Sequence, residues 1–108
     1  MFRLWKKEKV PDDQKDVFER LKMSGLCISK DVPLMPVVDV RGFRHGLRMM
    51  KKARLLKAGA NIVFLSMKVK RGVPWYRVQL RGTWLVGWIN SAALLADKGY
   101  QNAIVEGA

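Results

Sequence analysis

Three of the four tryptophans of this chain fall within one run, Trp75 to Asn90, which reads W-Y-R-V-Q-L-R-G-T-W-L-V-G-W-I-N. In its first half Tyr76, Val78 and Leu80 alternate with Trp75, Arg77 and Gln79, the period of two that puts one face of a strand in a core and the other in water. In its second half Leu85, Gly87 and Ile89 alternate in the same way with Trp84, Val86 and Trp88. Between them lies Arg81-Gly82-Thr83, where glycine supplies the positive φ of a tight hairpin. The run predicts an antiparallel hairpin with Trp75 exposed. Trp84 and Trp88 have two readings at this point, either covering the core and an N-terminal helix or standing in solvent.

The rest of the chain has little length in which to build anything larger. Its 108 residues fit one domain, or a domain of about 60 residues with extensions, and such a domain buries only about 60% of its unfolded surface. A deep catalytic cleft is not expected. Cys27 is the only cysteine and His45 the only histidine, so no intrachain disulfide can form and the ligand spacings of zinc sites are missing. No metal and no cofactor are expected. The segment Met1 to Lys9 is charged without a following apolar run, and no apolar stretch is long enough to cross a bilayer. The expectation is a cytoplasmic protein with no membrane span.

Charge is divided unevenly along the chain. Residues 36–96 carry 12 Lys and Arg against the single acid Asp39, a net +11, out of +12 for the whole chain. A field of that sign attracts polyanions. Arg41, Arg44, Arg48, Lys51, Lys52 and Arg54 crowd one segment, Lys68, Lys70 and Arg71 a second, and Arg77 and Arg81 flank the tryptophan hairpin. Cations beside exposed aromatic rings suit an acidic protein or peptide, and they also suit nucleic acid, where lysine and arginine track phosphates while a ring stacks on a base.

Ahead of the basic region, Pro11-Asp12-Asp13-Gln14 opens a helix that Asp12 or Asp13 would cap and Gly25 would end, with Val17, Phe18 and Leu21 as its apolar stripe. Leu26 to Ser29 reads as a short strand, and Asp31 to Pro36 as an extended linker, since Pro33 and Pro36 interrupt regular hydrogen bonding. Residues 1–35 therefore form a helical extension and linker, 36–96 the main domain and 97–108 a tail. Within the main domain the strands expected are Val37 to Val40, Arg54 to Leu56, Asn61 to Val69 and the two arms of the hairpin. Gly42 to Ala53 reads as a long basic loop, and Met49 to Lys57 as strand in preference to helix.

Four short motifs in order make residues 36–96 resemble the bacterial Src-homology-3 (SH3-like) barrel family. Val38-Asp39-Val40-Arg41 is similar to its opening L-N-V-R, and Leu56-Lys57-Ala58-Gly59, with Ile62 after it, to L-x-x-G. Trp75-Tyr76-Arg77-Val78 is similar to W-y-x-V, and Gly87-Trp88-Ile89 followed by Asn90 to Leu94 to the closing G-W-V and its single-turn helix. The resemblance implies a mainly β fold: a barrel of five or six strands, here preceded by one N-terminal α-helix. It also implies a non-catalytic recognition module for a protein or peptide, with Trp75 in the position of the groove tryptophan. Ala93 stands where groove members offer a tyrosine, and the segment Arg41 to Arg54 is basic where proline-motif readers carry acids, so a proline-rich ligand is not expected. Peptidoglycan, in a cell-wall-binding or phage-associated module, is a further partner the family implies.

No catalytic constellation is visible. Arginines beside His45 disfavour its protonation, and no acid adjacent in sequence would orient it as a base. Cys27, between Leu26 and Ile28, reads as a small core residue, and Asp39 as a partner for an arginine. The chain reads as a binding protein and not an enzyme, with Trp75, Arg77, Trp88, Arg41, Arg44, Arg48, Lys51, Lys52 and Arg54 as its candidate contacts.

Overall fold

The alternation that predicts the hairpin is met in the computed structural model, which describes residues 10–38 and 42–106, apart from the side chains at 42, 43, 45, 46, 50 and 106. Helix α1 (Asp12–Ser24) is followed by strand β1 (Val32–Leu34), helix α2 (Gly42–Lys52), strands β2 (Arg54–Leu56), β3 (Ile62–Lys70), β4 (Val73–Leu80) and β5 (Val86–Asn90), a 3-10 turn (Ser91–Leu94) and helix α3 (Lys98–Glu106). Two antiparallel sheets result, one pairing β1 with β2 and one in the order β3-β4-β5. They are tied by an exchange of backbone hydrogen bonds between Met35 and Trp88, each 2.8 Å.

The β3–β4 hairpin closes on Arg71 and Gly72, with φ of 53° and 76°. Positive φ at both central residues gives a two-residue turn whose twist matches the strands it joins. The β4–β5 connection is longer than the sequence suggests. Trp84 and Leu85 belong to the turn, Leu80 and Leu85 close it by an N–H to carbonyl bond of 3.0 Å, and Gly82 takes a φ of 79°.

Inward residues from every element except α2 share one core: Leu21 of α1, Leu26 and Ile28, Val32 and Leu34 of β1, Leu56, Ile62 and Phe64, Tyr76 and Val78, Ile89, Leu94, and Tyr100 and Ala103 of α3. Phe18 of α1 stacks on Tyr76 at 6.1 Å, and Phe64 meets the Tyr76 ring edge-on at 5.4 Å. The first 35 residues are therefore not a separate extension as far as they are described. The expected tail is a helix of this core, entered through Asp97, whose carboxylate accepts the N–H of Tyr100 at 3.0 Å as a helix cap does.

Four other local expectations change. Gly42–Lys52 is helical and not a loop, because Leu, Arg, Met and Lys are good helix formers and their sum outweighs Gly46. Met49 turns inward while Arg44, Arg48, Lys51 and Lys52 stay exposed, and Lys51 and Lys52 meet the negative end of the helix dipole. Asp31 to Pro36, expected as an extended linker, holds strand β1 at Val32–Leu34, whereas Val37 and Val38, expected to open a strand, are irregular, and Asp39, Val40 and Arg41 lie outside the described residues. Pro33 is tolerated because backbone groups alternate along a strand: Met35 bonds toward β5, so Pro33 faces that way too and no β1–β2 bond is lost. Helix α1 is capped by Pro11 without a side-chain bond, Asp12 and Asp13 lying in the first turn. Cys27 is exposed and not core, since it sits in a bridge opposite Asn61 with its thiol donating outward to the Gly59 carbonyl at 3.3 Å.

Candidate functional site

Register decides what shares the outer face of the three-stranded sheet. Lys68, Trp75 and Asn90 lie directly opposite one another across β3, β4 and β5, and Ser66, Arg77 and Trp88 form the next row. The third row is Val63, Gln79 and Val86. Tyr76, Val78 and Ile89 point the other way, into the core. Trp75 and Trp88 are thus diagonal neighbours on one face with Arg77 beside both, and the Lys68 ammonium lies 5.4 Å above the Trp88 ring. Both tryptophans are half-buried and Arg77 is exposed.

The face extends sideways. Because Met35 pairs with Trp88, it adds a fourth row end beyond β5, and with Leu34, Pro36, Leu85 and Val86 it floors a shallow groove whose rim carries Lys52 and Arg54. Val86 belongs to both the groove and the sheet face, so the two are one surface. Strands about 4.8 Å apart place the Lys68 edge roughly 14 Å from the Met35 edge.

Among the described residues its cations have no ion-pair partner. The ion pairs among the described residues are Lys15–Asp12, Lys22–Glu19 and Lys57–Asp31, and none involves Arg44, Arg48, Lys51, Lys52, Arg54, Lys68, Arg77 or Arg81. Family models, curated proteins and solved structures give no match to this chain. What the face can do rests on its own geometry.

Of the contacts expected from sequence, Trp75, Arg77 and Trp88 come together on the sheet, and Lys52 and Arg54 line the adjoining groove with Val86. Arg44, Arg48 and Lys51 lie along the exposed side of α2, and Arg41 is outside the described residues. Lys68 was visible in the sequence only as a cation near a turn, and Met35 and Val86 only as apolar residues. Trp84, left open between core and surface, is 96% exposed.

The chemistry elsewhere is structural. Asp97 is buried, and although burial favours its neutral form, the backbone N–H groups of Tyr100, Ser29 and Lys30 hold its carboxyl below the usual carboxylate range. Burial pushes the Tyr76 hydroxyl up, and its hydrogen bond with Tyr100 at 3.1 Å adds to the shift. Among the described residues no three His, Cys, Asp or Glu side chains group closely enough to hold a metal ion, and no helix is long and apolar enough to cross a membrane.

Proposed function

We propose that this chain is a recognition module, SH3-like in its strand arrangement, that binds an anionic partner on the outer face of β3-β4-β5 and does no chemistry on it. The observation that carries this is the row Arg77–Trp88 beside Trp75, with Lys68 over the Trp88 ring and no carboxylate paired to either cation among the described residues. A cation held beside apolar rings without a counter-charge offers both a Coulombic and a stacking contact to a ligand. Acidic protein or peptide and nucleic acid both have the required sign. The SH3-like arrangement is supported by the short pair β1-β2, the three-stranded meander and the single 3-10 turn that follows it.

Charge reversal tests the reading. Arg77→Glu with Lys68→Glu should weaken binding to polyglutamate or to an oligonucleotide at least tenfold, measured by tryptophan fluorescence at low salt, with an unchanged Tm. Lys98→Glu, on α3 behind the sheet, makes a charge change of the same sign and should have little effect. Equal losses from the two variants would reduce the site to net charge alone and sink the proposal.

A further inference from the structure

We infer that the anionic partner is a single-stranded nucleic acid, lying across the sheet from Lys68 toward α2, with bases on the indoles and phosphates on the intervening cations. This rests on the recognition reading above and names its ligand.

The backbone of the face argues first. Strand β4 is paired on both sides, and β5 is paired by β4 and, at Trp88, by Met35. A peptide that adds itself to a sheet needs an open edge for main-chain bonds; here that edge is the outer side of β3, while the middle of this face, where the indoles stand, presents side chains only. A base needs no main-chain partner in order to stack.

The rings argue second. Trp75 and Trp88 are diagonal neighbours, about 7–8 Å apart in such a register. A third indole, Trp84, is presented by the turn at the end of the same hairpin and is 96% exposed. That turn is braced: the Gln79 amide donates to the Thr83 carbonyl at 2.6 Å, the Thr83 hydroxyl donates to the Leu80 carbonyl at 2.9 Å, and the Leu85 N–H donates to the Thr83 hydroxyl at 3.1 Å. The braced turn fixes the backbone from which the indole projects, so the ring stands in water open to a flat partner. Exposed rings meet bases only where bases are unstacked, which selects a single strand over a duplex.

The spread of charge argues third. Lys68 and Arg77 lie within the face, and Lys52 and Arg54 across the groove. Arg44, Arg48 and Lys51 then continue along α2, which at 1.5 Å per residue is about 16 Å long. A short acidic motif would engage one such cluster. A ligand with one charge per residue can engage the whole series. At Trp88 the Lys68 ammonium already sits over the ring, so a base arriving there displaces it onto the adjacent phosphate.

The test is fluorescence anisotropy of labelled oligothymidylate and oligouridylate of about 12 nucleotides, with the matched duplex and polyglutamate as competitors. Four phosphate contacts give a slope near −3 in log K against log salt, or about 50-fold weaker binding between 50 and 200 mM salt. Trp84→Ala should weaken single-strand binding by about 5- to 150-fold, leaving Tm and polyglutamate binding unchanged. The duplex should compete poorly. If polyglutamate binds through Arg77 and Lys68 while the oligonucleotides do not bind, or bind without regard to Trp84, the inference fails and the recognition reading stands. If neither ligand responds to Arg77→Glu with Lys68→Glu, both fail.

Discussion

Asp97→Asn changes one buried carboxylate that three backbone N–H groups from two chain segments share. Asp97 is 1% exposed. Its Oδ2 accepts the N–H of Ser29 at 2.7 Å and of Lys30 at 3.0 Å, and its Oδ1 accepts the N–H of Tyr100 at 3.0 Å. The Lys98 N–H is in turn taken by the Ser29 hydroxyl at 2.9 Å, so the loop after α1 and the start of α3 are bonded in both directions. An asparagine can keep its oxygen on Ser29 and Lys30, but its amide then turns toward the Tyr100 N–H, donor against donor. An unpaired buried donor costs about 1–3 kcal/mol, and each remaining bond loses roughly 1 kcal/mol with its charge. The expected loss is therefore about 3–5 kcal/mol, a large share of the roughly 5–15 kcal/mol that holds a domain folded. Urea unfolding at pH 7, followed by far-UV circular dichroism, should show a lower midpoint at unchanged slope. The pH dependence has a definite sign. Because the folded pKa lies below the unfolded value of about 3.9, the carboxylate's contribution is complete above that value and is lost as pH falls through the folded pKa. The gap between wild type and variant should therefore narrow below about pH 4. A variant within about 0.5 kcal/mol of wild type at pH 7, or a gap that stays constant into acid, would refute the assignment of this joint.

Three further outcomes follow from the core. The buried, hydrogen-bonded Tyr76 hydroxyl should stay protonated in an ultraviolet titration past the ordinary tyrosine pKa of about 10, releasing its proton with unfolding; because its folded pKa is raised, stability should fall as pH rises above that point. Tyr100→Ala, which empties a buried site in α3 against the Tyr76 ring, should cost about 3–5 kcal/mol in urea, and a near-neutral result would return α3 to the status of a tail. A methyl group placed at Gly99 would run into the Cys27 carbonyl, so Gly99→Ala should cost about 1–3 kcal/mol by thermal melting, even though Gly99 sits in a helix where alanine is otherwise preferred.

The parts of the fold that were legible are those where local pattern and burial agree. Tyr76, Val78 and Leu80 alternate with polar or amphipathic neighbours, and their strand has one wet face and one dry face. The helix at Gly42–Lys52 was not legible, because Gly42 and Gly46 lower its propensity and, among the described side chains, Met49 alone is buried. The helix at Lys98–Glu106 was hidden for another reason. Its cap, Asp97, takes its meaning from Ser29 and Lys30, nearly seventy positions away, and no window on the sequence contains both ends of that bond.

The outer face depends on a phase change that lies between these cases. In β3, Ile62 and Phe64 point inward, and so does Met67 opposite Tyr76; even positions give way to odd ones within a single strand. The register shift between Phe64 and Ser66 supplies the change, with Leu65 as the extra residue and turned to solvent. Without that bulge the period of two would carry Lys68 into the core and leave Met67 on the face that holds Trp75 and Trp88. The sequence I-V-F-L-S-M-K-V-K does record the slip, in the spacing of Phe64 and Met67. It reads there as a broken alternation, and only the pairing with β4 turns it into the placement of a cation over Trp88. Deleting Leu65 should therefore damage core and binding face together, whereas Lys68→Glu should damage the face alone. That difference separates the residue that makes the contact from the residue that positions it.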